Sequence, residues 1–179
     1  MSLSKSNMFL NHIKNYFLLK FLKNNIHNTI ISKEISAIQT VGLLIDESYF
    51  SDKEALIEGI IANGISESNI KIIVYRDKLK KNEVYSHPTF GIKHLNWNAQ
   101  ITDPVAREFI KDKFDLLISY YDIEKAFLKK VTSHSRAQFK VGFSSVDKKL
   151  NHLMISTNVE NHTVFIHELF RYLKILNKI

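Results

Sequence analysis

The sequence predicts an α/β protein, a three-layer sandwich around a mainly parallel, Rossmann-like or flavodoxin-like sheet of about five strands. Two observations support this prediction. After Thr40, short apolar runs alternate with amphipathic segments of helical period, a pattern typical of parallel strands joined by crossover helices. Before Thr40, residues 7–27 have helical periodicity and several lysines, which adds an N-terminal amphipathic basic helix.

Five apolar runs qualify as strands because each is rich in β-branched or aromatic residues, as strands buried on both faces are. They are residues 41–45, 70–75, 116–120, 140–143 and 153–156. The long segment 78–102 lies between the second and third runs. Segments of this length are either functional or contain a short element. Residues 92–97 are the candidate for a further strand.

Local sequence signals predict where the helices begin. Ser51 and Glu54 have the spacing of a capping box. Asp103 followed by Pro104 is an N-cap with proline at the first helical position. Asn161 is expected to cap the last helix, and Asp122 a helix over residues 123–132.

In the N-terminal helix, the helical period groups most of the large apolar side chains on one face. This set contains Phe9, Leu10, Ile13, Tyr16, Phe17 and Phe21, whereas Leu18 and Leu22 fall on the more polar side. Three interpretations stay open for this helix: packing on its own domain, lying on an anionic membrane, or docking on a protein or RNA partner.

The charge distribution favours an anionic partner. The chain has 25 Lys and Arg against 18 Asp and Glu, a formal net charge of +7. Residues 1–36 hold five lysines and one glutamate, so this short segment carries +4 of that excess. We therefore divide the chain into a basic helix with its connector, residues 1–36, and a single α/β domain, residues 37–179. RNA, the ribosome or an anionic membrane surface are the partner classes that fit.

Several kinds of chemistry lack their sequence signals. There is no cysteine, hence no disulfide or thiolate site, and no glycine-rich phosphate loop follows the first strand. The histidines do not have metal-ligand spacing, and no G-x-S-x-G elbow occurs. We therefore assign no catalytic residue, metal ligand or cofactor, and oligomeric state is not predicted.

The predicted location is the cytoplasm. The longest stretch without Lys, Arg, Asp or Glu is residues 35–45, which is shorter than the ~20 residues that a membrane-spanning helix needs. The basic helix is compatible with a position at the periphery of the inner membrane.

Two sets of residues are candidates for function. The first lies at the carboxyl ends of the strands, where open parallel sheets bind ligands. It consists of Asp46, Glu47, Ser48, Tyr121 and Asp122, which serve either as turn and cap residues or as the site of a small enzyme or ligand binder. The second set is basic and would contact an anionic partner: Lys14, Lys20, Lys23, Arg76, Lys78, Lys80 and Lys81. Because catalytic motifs are missing, the sequence favours a non-catalytic binding or scaffolding module.

Four segments carry a resemblance to an uncharacterised family. They are residues 114–121, 139–144, 150–155 and 172–178, and they resemble a domain of unknown function found in small basic α/β proteins of Bacteroidetes-type bacteria. Residues 115–118 and 139–144 are also similar to the amino-terminal lobe of heptosyltransferase-like glycosyltransferases. Both resemblances imply the fold, and neither implies an activity.

Overall fold

The computed structural model describes residues 3–24 and 37–179 of the chain; the predicted connector lies outside these residues. The α-helices are α1 Leu3–Asn24, α2 Lys53–Ala62, α3 Pro104–Lys111, α4 Ala126–His134 and α5 His162–Ile175. The β-strands are β1 Val41–Asp46, β2 Ile70–Tyr75, β3 Thr89–Phe90, β4 Leu116–Tyr120, β5 Phe139–Phe143 and β6 Leu153–Ile155.

The six strands form one sheet in the order β3-β2-β1-β4-β5-β6, and every neighbouring pair is parallel. This is the strand order of Rossmann folds. The predicted three-layer α/β fold is therefore confirmed, in its Rossmann-like form and with a sixth strand.

The additional strand lies in the long segment between β2 and β4, but not where the sequence pattern placed it. The predicted strand over residues 92–97 is wrong, because Ile92–His94 is a 3-10 helix. The strand in this segment is β3, which pairs with the end of β2. Its two residues are too few to show an alternating pattern in the sequence.

Helices cover both faces of the sheet. Alternate residues of each strand point to opposite faces, so that Leu43 and Leu44 belong to two separate hydrophobic clusters. One cluster lies under α2 and α5, with Leu56 and Leu169 among its members. The other lies under α1, α3 and α4, with Phe127 at its centre. The strands are therefore buried on both sides, as their nearly continuous apolar sequence predicts.

Helix α1 packs on its own domain through the side that the sequence marks as more polar. Leu18 and Leu22 are 2% and 1% exposed and belong to the cluster under α4. The side-chain oxygen of Asn15 accepts a hydrogen bond of 2.7 Å from the backbone N–H of Ala126, at the start of α4. These contacts fix α1 along α4. Of its predicted apolar face, Leu10, Tyr16, Phe17 and Phe21 are exposed and Ile13 is half-buried.

The predicted helix starts are confirmed in part. The carboxylate of Asp103 accepts from the backbone N–H groups of Val105 and Ala106, as an N-cap before Pro104 should. The capping box at Ser51 is wrong, since α2 begins at Lys53. Asn161 precedes α5 as predicted, but its side chain makes no capping hydrogen bond.

Candidate functional site

The point where strand order reverses lies between β1 and β4. From β1 the chain continues to β2 and β3 on one side, whereas β4, β5 and β6 follow on the other. In open parallel sheets the crevice for ligands opens at the carboxyl ends of the strands that flank this point. Asp46 is the last residue of β1, and the candidate residues Glu47 and Ser48 follow it. These three residues lie where the sequence predicts.

Asp46 is paired with a lysine that the sequence analysis did not single out. The Nζ atom of Lys125 lies 2.6 Å from Oδ2 of Asp46, and the two side chains are 7% and 6% exposed. The same Nζ lies 3.0 Å from Oδ2 of Asp77. The rings of Tyr49 and Tyr75 lie 4.9 and 5.0 Å from it. The lysine is therefore enclosed by carboxylates and aromatic faces, both of which stabilise its positive charge.

Ser48 connects the parts of this cluster. Its backbone N–H donates to Oδ1 of Asp46 at 3.0 Å. Its hydroxyl oxygen accepts from Nζ of Lys125 at 2.9 Å and from the backbone N–H of Asp77 at 3.0 Å. Asp46 thus uses Oδ1 to stabilise the turn after β1 and Oδ2 to pair with Lys125. The predicted role of Asp46 as a turn residue agrees with this geometry.

Glu47 is held by two cations. Its Oε1 lies 2.6 Å from Nζ of Lys53, and its Oε2 lies 2.7 Å from Nε of Arg76. Burial by itself would raise the pKa of Glu47, but hydrogen bonds from Arg76 and Lys53 outweigh burial and lower the pKa below its ordinary value. Glu47 is consequently an ionised link between α2 and the end of β2.

Tyr121 and Asp122 do not join the other three candidates. The hydroxyl of Tyr121 forms a buried hydrogen bond of 2.9 Å with Oγ1 of Thr132 in α4, and burial raises the pKa of this tyrosine. The backbone carbonyl of Asp122 accepts from the hydroxyl of Ser145 at 2.8 Å. The predicted helix cap at Asp122 is wrong, because α4 begins only at Ala126.

A second buried ion cluster lies beside the first. Lys129, which is 2% exposed, lies 2.9 Å from Oε2 of Glu124 and 3.2 Å from Oδ2 of Asp147. The backbone N–H of Asp147 donates to Oε1 of Glu124 at 2.6 Å. These contacts fasten the loop after β5 to the start of α4.

The edge of the sheet at the carboxyl ends of its strands, which we call the carboxyl edge, is thus lined by ion pairs. Each of the carboxylates Asp46, Glu47 and Asp77 contacts at least one of the cations Lys53, Arg76 and Lys125. A carboxylate that is to act as a general base or bind a cation has to be available to the substrate or ion, whereas these are already engaged. Among the residues that the structure describes, no group of three His, Asp or Glu is placed to hold a metal ion. The geometry therefore supports a structural role for this edge.

The lysines of this edge were missed for an identifiable reason. Lys125 and Lys129 belong to a run of recurring basic residues, which usually indicates a solvated surface. The informative signal lay in the acidic partners: Asp46 and Glu47 stand at the end of an apolar run that predicts a strand buried on both faces. Acids in that position need cations, and those have to come from neighbouring loops and helices.

The predicted basic contacts fall into three groups. Lys78, Lys80 and Lys81 are exposed in the loop after β2, whereas Arg76 is engaged by Glu47 and lies 3.3 Å from Glu83. Lys14 is turned towards the protein, and its Nζ donates to the carbonyl of Ile92 at 3.2 Å. Lys20 and Lys23 are exposed on α1. The basic loop therefore has acidic neighbours, while the exposed lysines of α1 lie in a segment without acids.

The outer face of α1 combines these lysines with large apolar side chains. We define this face by Leu10, Tyr16, Phe17, Lys20, Phe21 and Lys23, all of which are exposed. At 3.6 residues per turn, they lie outside the sector of the helix that carries Leu18 and Leu22, and Tyr16 and Lys20 point most directly away from it. Phe17, for example, is 58% exposed, although phenylalanine is normally buried. The side chain of Phe9 lies outside the described residues. Helix α1 therefore has large apolar side chains on two sides, and the hydrophobic core of the described residues covers one of them.

None of the described helices is both long enough and apolar enough to cross a membrane. In α1 the lysines at positions 14, 20 and 23 interrupt the apolar sequence.

Comparison with known proteins gives a family without an activity. Residues 14–176 match the model of a family of unknown function, DUF6913, and no curated protein matches the chain. The predicted resemblance to an uncharacterised domain is thereby confirmed. The matched segment starts within α1, contains all six strands and ends one residue after α5. It spans most of the sequence, and the chain therefore belongs to this family of unknown function.

Proposed function

We propose that this protein is a non-catalytic module that docks on an anionic membrane surface through the outer face of α1. The observation that carries the proposal is the exposure of Leu10, Tyr16 and Phe17 on a helix whose other side is packed in the core. Large apolar side chains of a helix normally face another apolar surface. Their exposure among the described residues therefore indicates a second apolar environment.

The charges on this face favour anionic lipid. Lys20 and Lys23 are exposed beside the apolar residues, and no Asp or Glu occurs before Glu34. Each lysine close to an anionic bilayer contributes about 1 kcal/mol of binding free energy. Lysine side chains are also long enough to keep their ammonium groups among the headgroups while the phenylalanines enter the acyl boundary.

The helix is ready to bind without rearrangement. Leu18, Leu22 and Asn15 already attach it to the domain, and they do so through another side of the helix. Docking therefore requires neither that the helix fold nor that it leave the core. This lowers the entropic cost of binding relative to that of a segment that becomes ordered on the membrane.

Other partners fit the face less well. RNA would use the aromatic rings for stacking but gains little from an aliphatic side chain such as Leu10. A second copy of the chain would bring two basic segments together, and like charges at an interface oppose association. The carboxyl edge of the sheet, with its carboxylates in ion pairs, offers no better alternative as an enzyme site.

The test is co-sedimentation of the full chain with vesicles. We expect binding to vesicles of equimolar phosphatidylcholine and phosphatidylglycerol, weak binding to phosphatidylcholine alone, and loss of binding as salt is raised. The variant Phe17→Ser/Phe21→Ser should bind at least about tenfold more weakly, since each phenylalanine loses its apolar burial in the membrane.

The matched control changes two exposed apolar residues on the opposite face of the sheet. Val164 and Ile175 of α5 are exposed like the phenylalanines. The variant Val164→Ser/Ile175→Ser should bind vesicles like wild type. The proposal fails if wild type does not sediment with the anionic vesicles at low salt, or if both double variants bind equally well. RNA binding in the absence of vesicle binding would assign the face to nucleic acid instead.

A further inference from the structure

The loop that carries the single tryptophan borders the outer face of α1. Leu10, Lys14, Phe17 and Phe21 follow one another at spacings of four, three and four residues, which places them along one side of a helix. From the middle of this row, Nζ of Lys14 lies 5.6 Å from the centre of the Trp97 ring. Trp97 is therefore a neighbour of the apolar row.

The tryptophan is held outward by an ordered turn. Leu95 pairs with Ile101 in an isolated antiparallel bridge, and both side chains are buried. Between them, the side-chain oxygen of Asn96 accepts from the backbone N–H groups of Asn98 and Gln100. Trp97 stands at this turn and is 62% exposed. The turn thus exposes the large apolar ring of Trp97 and holds the backbone that carries it in place.

Loop and helix also belong to the same layer of the fold. Ile92, Leu95 and Ile101 of the loop share a hydrophobic cluster with Leu18 and Leu22 of α1. Besides approaching the tryptophan ring, Lys14 donates to the carbonyl of Ile92, so that one side chain connects the helix to the loop. The two elements therefore keep a fixed relation when α1 lies on a surface.

We infer that Trp97 enters the interface of an anionic lipid membrane beside α1, so that the docked protein rests on two elements rather than one. This inference rests on the proposed function of α1. Tryptophan has an apolar ring and an N–H donor, and it is enriched where acyl chains meet headgroups. The exposed Lys93 in the same loop adds a positive charge at this second contact. Two contacts would define how the domain is oriented on the membrane.

Trp97 is the only tryptophan of the chain, so its fluorescence reports on this contact alone. With vesicles of equimolar phosphatidylcholine and phosphatidylglycerol, we expect its emission to shift to shorter wavelength. Replacing the phosphatidylcholine by its brominated form should quench the emission. The variant Phe17→Ser/Phe21→Ser should show neither change under the same conditions.

A binding measurement completes the test. Trp97→Ser should lower the affinity for these vesicles several-fold and leave thermal unfolding unchanged, because the ring is mostly exposed. If wild type sediments with the vesicles but its emission neither shifts nor is quenched, the inference about Trp97 is wrong and the docking of α1 stands. If wild type does not sediment at all, both are wrong.

Discussion

The ammonium of Lys125 lies 2.6 Å from the carboxylate of Asp46, and this ion pair joins the end of β1 to the segment that follows β4. It spans the point at which strand order reverses, where Rossmann folds bind their ligands. In this protein the place holds a buried charge pair that connects the two halves of the sheet. The first prediction concerns the stability that depends on it.

Removal of the lysine should be costly. Lys125→Met leaves Asp46 buried without its main partner, and breaking a buried ion pair on one side typically costs about 3–5 kcal/mol in free energy of unfolding. The double variant Asp46→Asn/Lys125→Met has no buried unpaired charge at this position, because Asp77, the other partner of Lys125, is 39% exposed, and it should recover part of the loss. Urea unfolding of the three proteins measures both effects.

The matched control is Lys148→Met, since Lys148 is exposed. Surface substitutions of this kind change the free energy of unfolding by about 0.5 kcal/mol or less. Equal stability of Lys125→Met and Lys148→Met would show that the buried pair does not stabilise the fold.

Glu47 should make stability depend on acid pH. Its pKa in the folded protein lies below the ordinary value of 4.5, because the hydrogen bonds from Arg76 and Lys53 outweigh burial. Its contribution is therefore present above about pH 4.5 and is lost as pH falls through the lowered pKa of the folded state. Glu47→Gln should destabilise the protein at neutral pH and approach wild type in acid.

Urea unfolding at a series of pH values checks this difference. Glu58→Gln serves as the control, since Glu58 is an exposed residue of the neighbouring helix α2. Its pH profile should run parallel to that of wild type. A parallel profile for Glu47→Gln as well would mean that Glu47 is not the group responsible.

The sequence predicts the fold well because the fold depends on long apolar runs. Residues 41–45 and 116–120 are buried on both faces, and a run of that kind has few structures other than a central parallel strand. The short strand β3 depends instead on pairing with β2, which no local pattern shows. The start of α4 was misplaced because an acid before an apolar run looks like a cap, whereas Asp122 interacts through its backbone.

The site was predictable only in part, because its ion pairs join residues that are distant in sequence. Asp46, Glu47 and Ser48 were found because the carboxyl end of a strand can be identified from the strand itself. Lys125 is 79 positions away from Asp46, and only the parallel order of β1 and β4 brings the two together. The hydrophobic periodicity of the sequence cannot identify such ion pairs, because it carries no information about which strands are adjacent.

Lys140 should also make the stability rise with pH, but in the alkaline range. Its Nζ donates to the carbonyl of Thr132 at 2.8 Å, and burial lowers its pKa from 10.5 to about 8. Between these two values the unfolded chain binds a proton that the folded protein lacks. The free energy of unfolding therefore rises with pH in this window, by up to about 3 kcal/mol over its full width.

Comparison of wild type with Lys140→Met isolates this contribution. Between about pH 7 and pH 10, the difference in free energy of unfolding should change in favour of wild type, because only wild type relieves a buried charge. Buried tyrosines such as Tyr75, whose pKa is raised by burial, act in the other direction only above about pH 10. Identical pH profiles for the two proteins would contradict the assignment.

The last prediction separates the two sides of α1. Leu18 is 2% exposed in the core, whereas Phe17, the residue before it, is 58% exposed on the outer face. Leu18→Ala should cost about 2–5 kcal/mol in free energy of unfolding, because it removes buried methyl groups and leaves a cavity. Phe17→Ala should change the stability by about 0.5 kcal/mol or less. On anionic vesicles the order should reverse, with binding weakened by Phe17→Ala and retained by folded Leu18→Ala. Equal losses of stability in the two variants would show that the outer face is covered by the protein itself, and the reason to expect a membrane there would disappear.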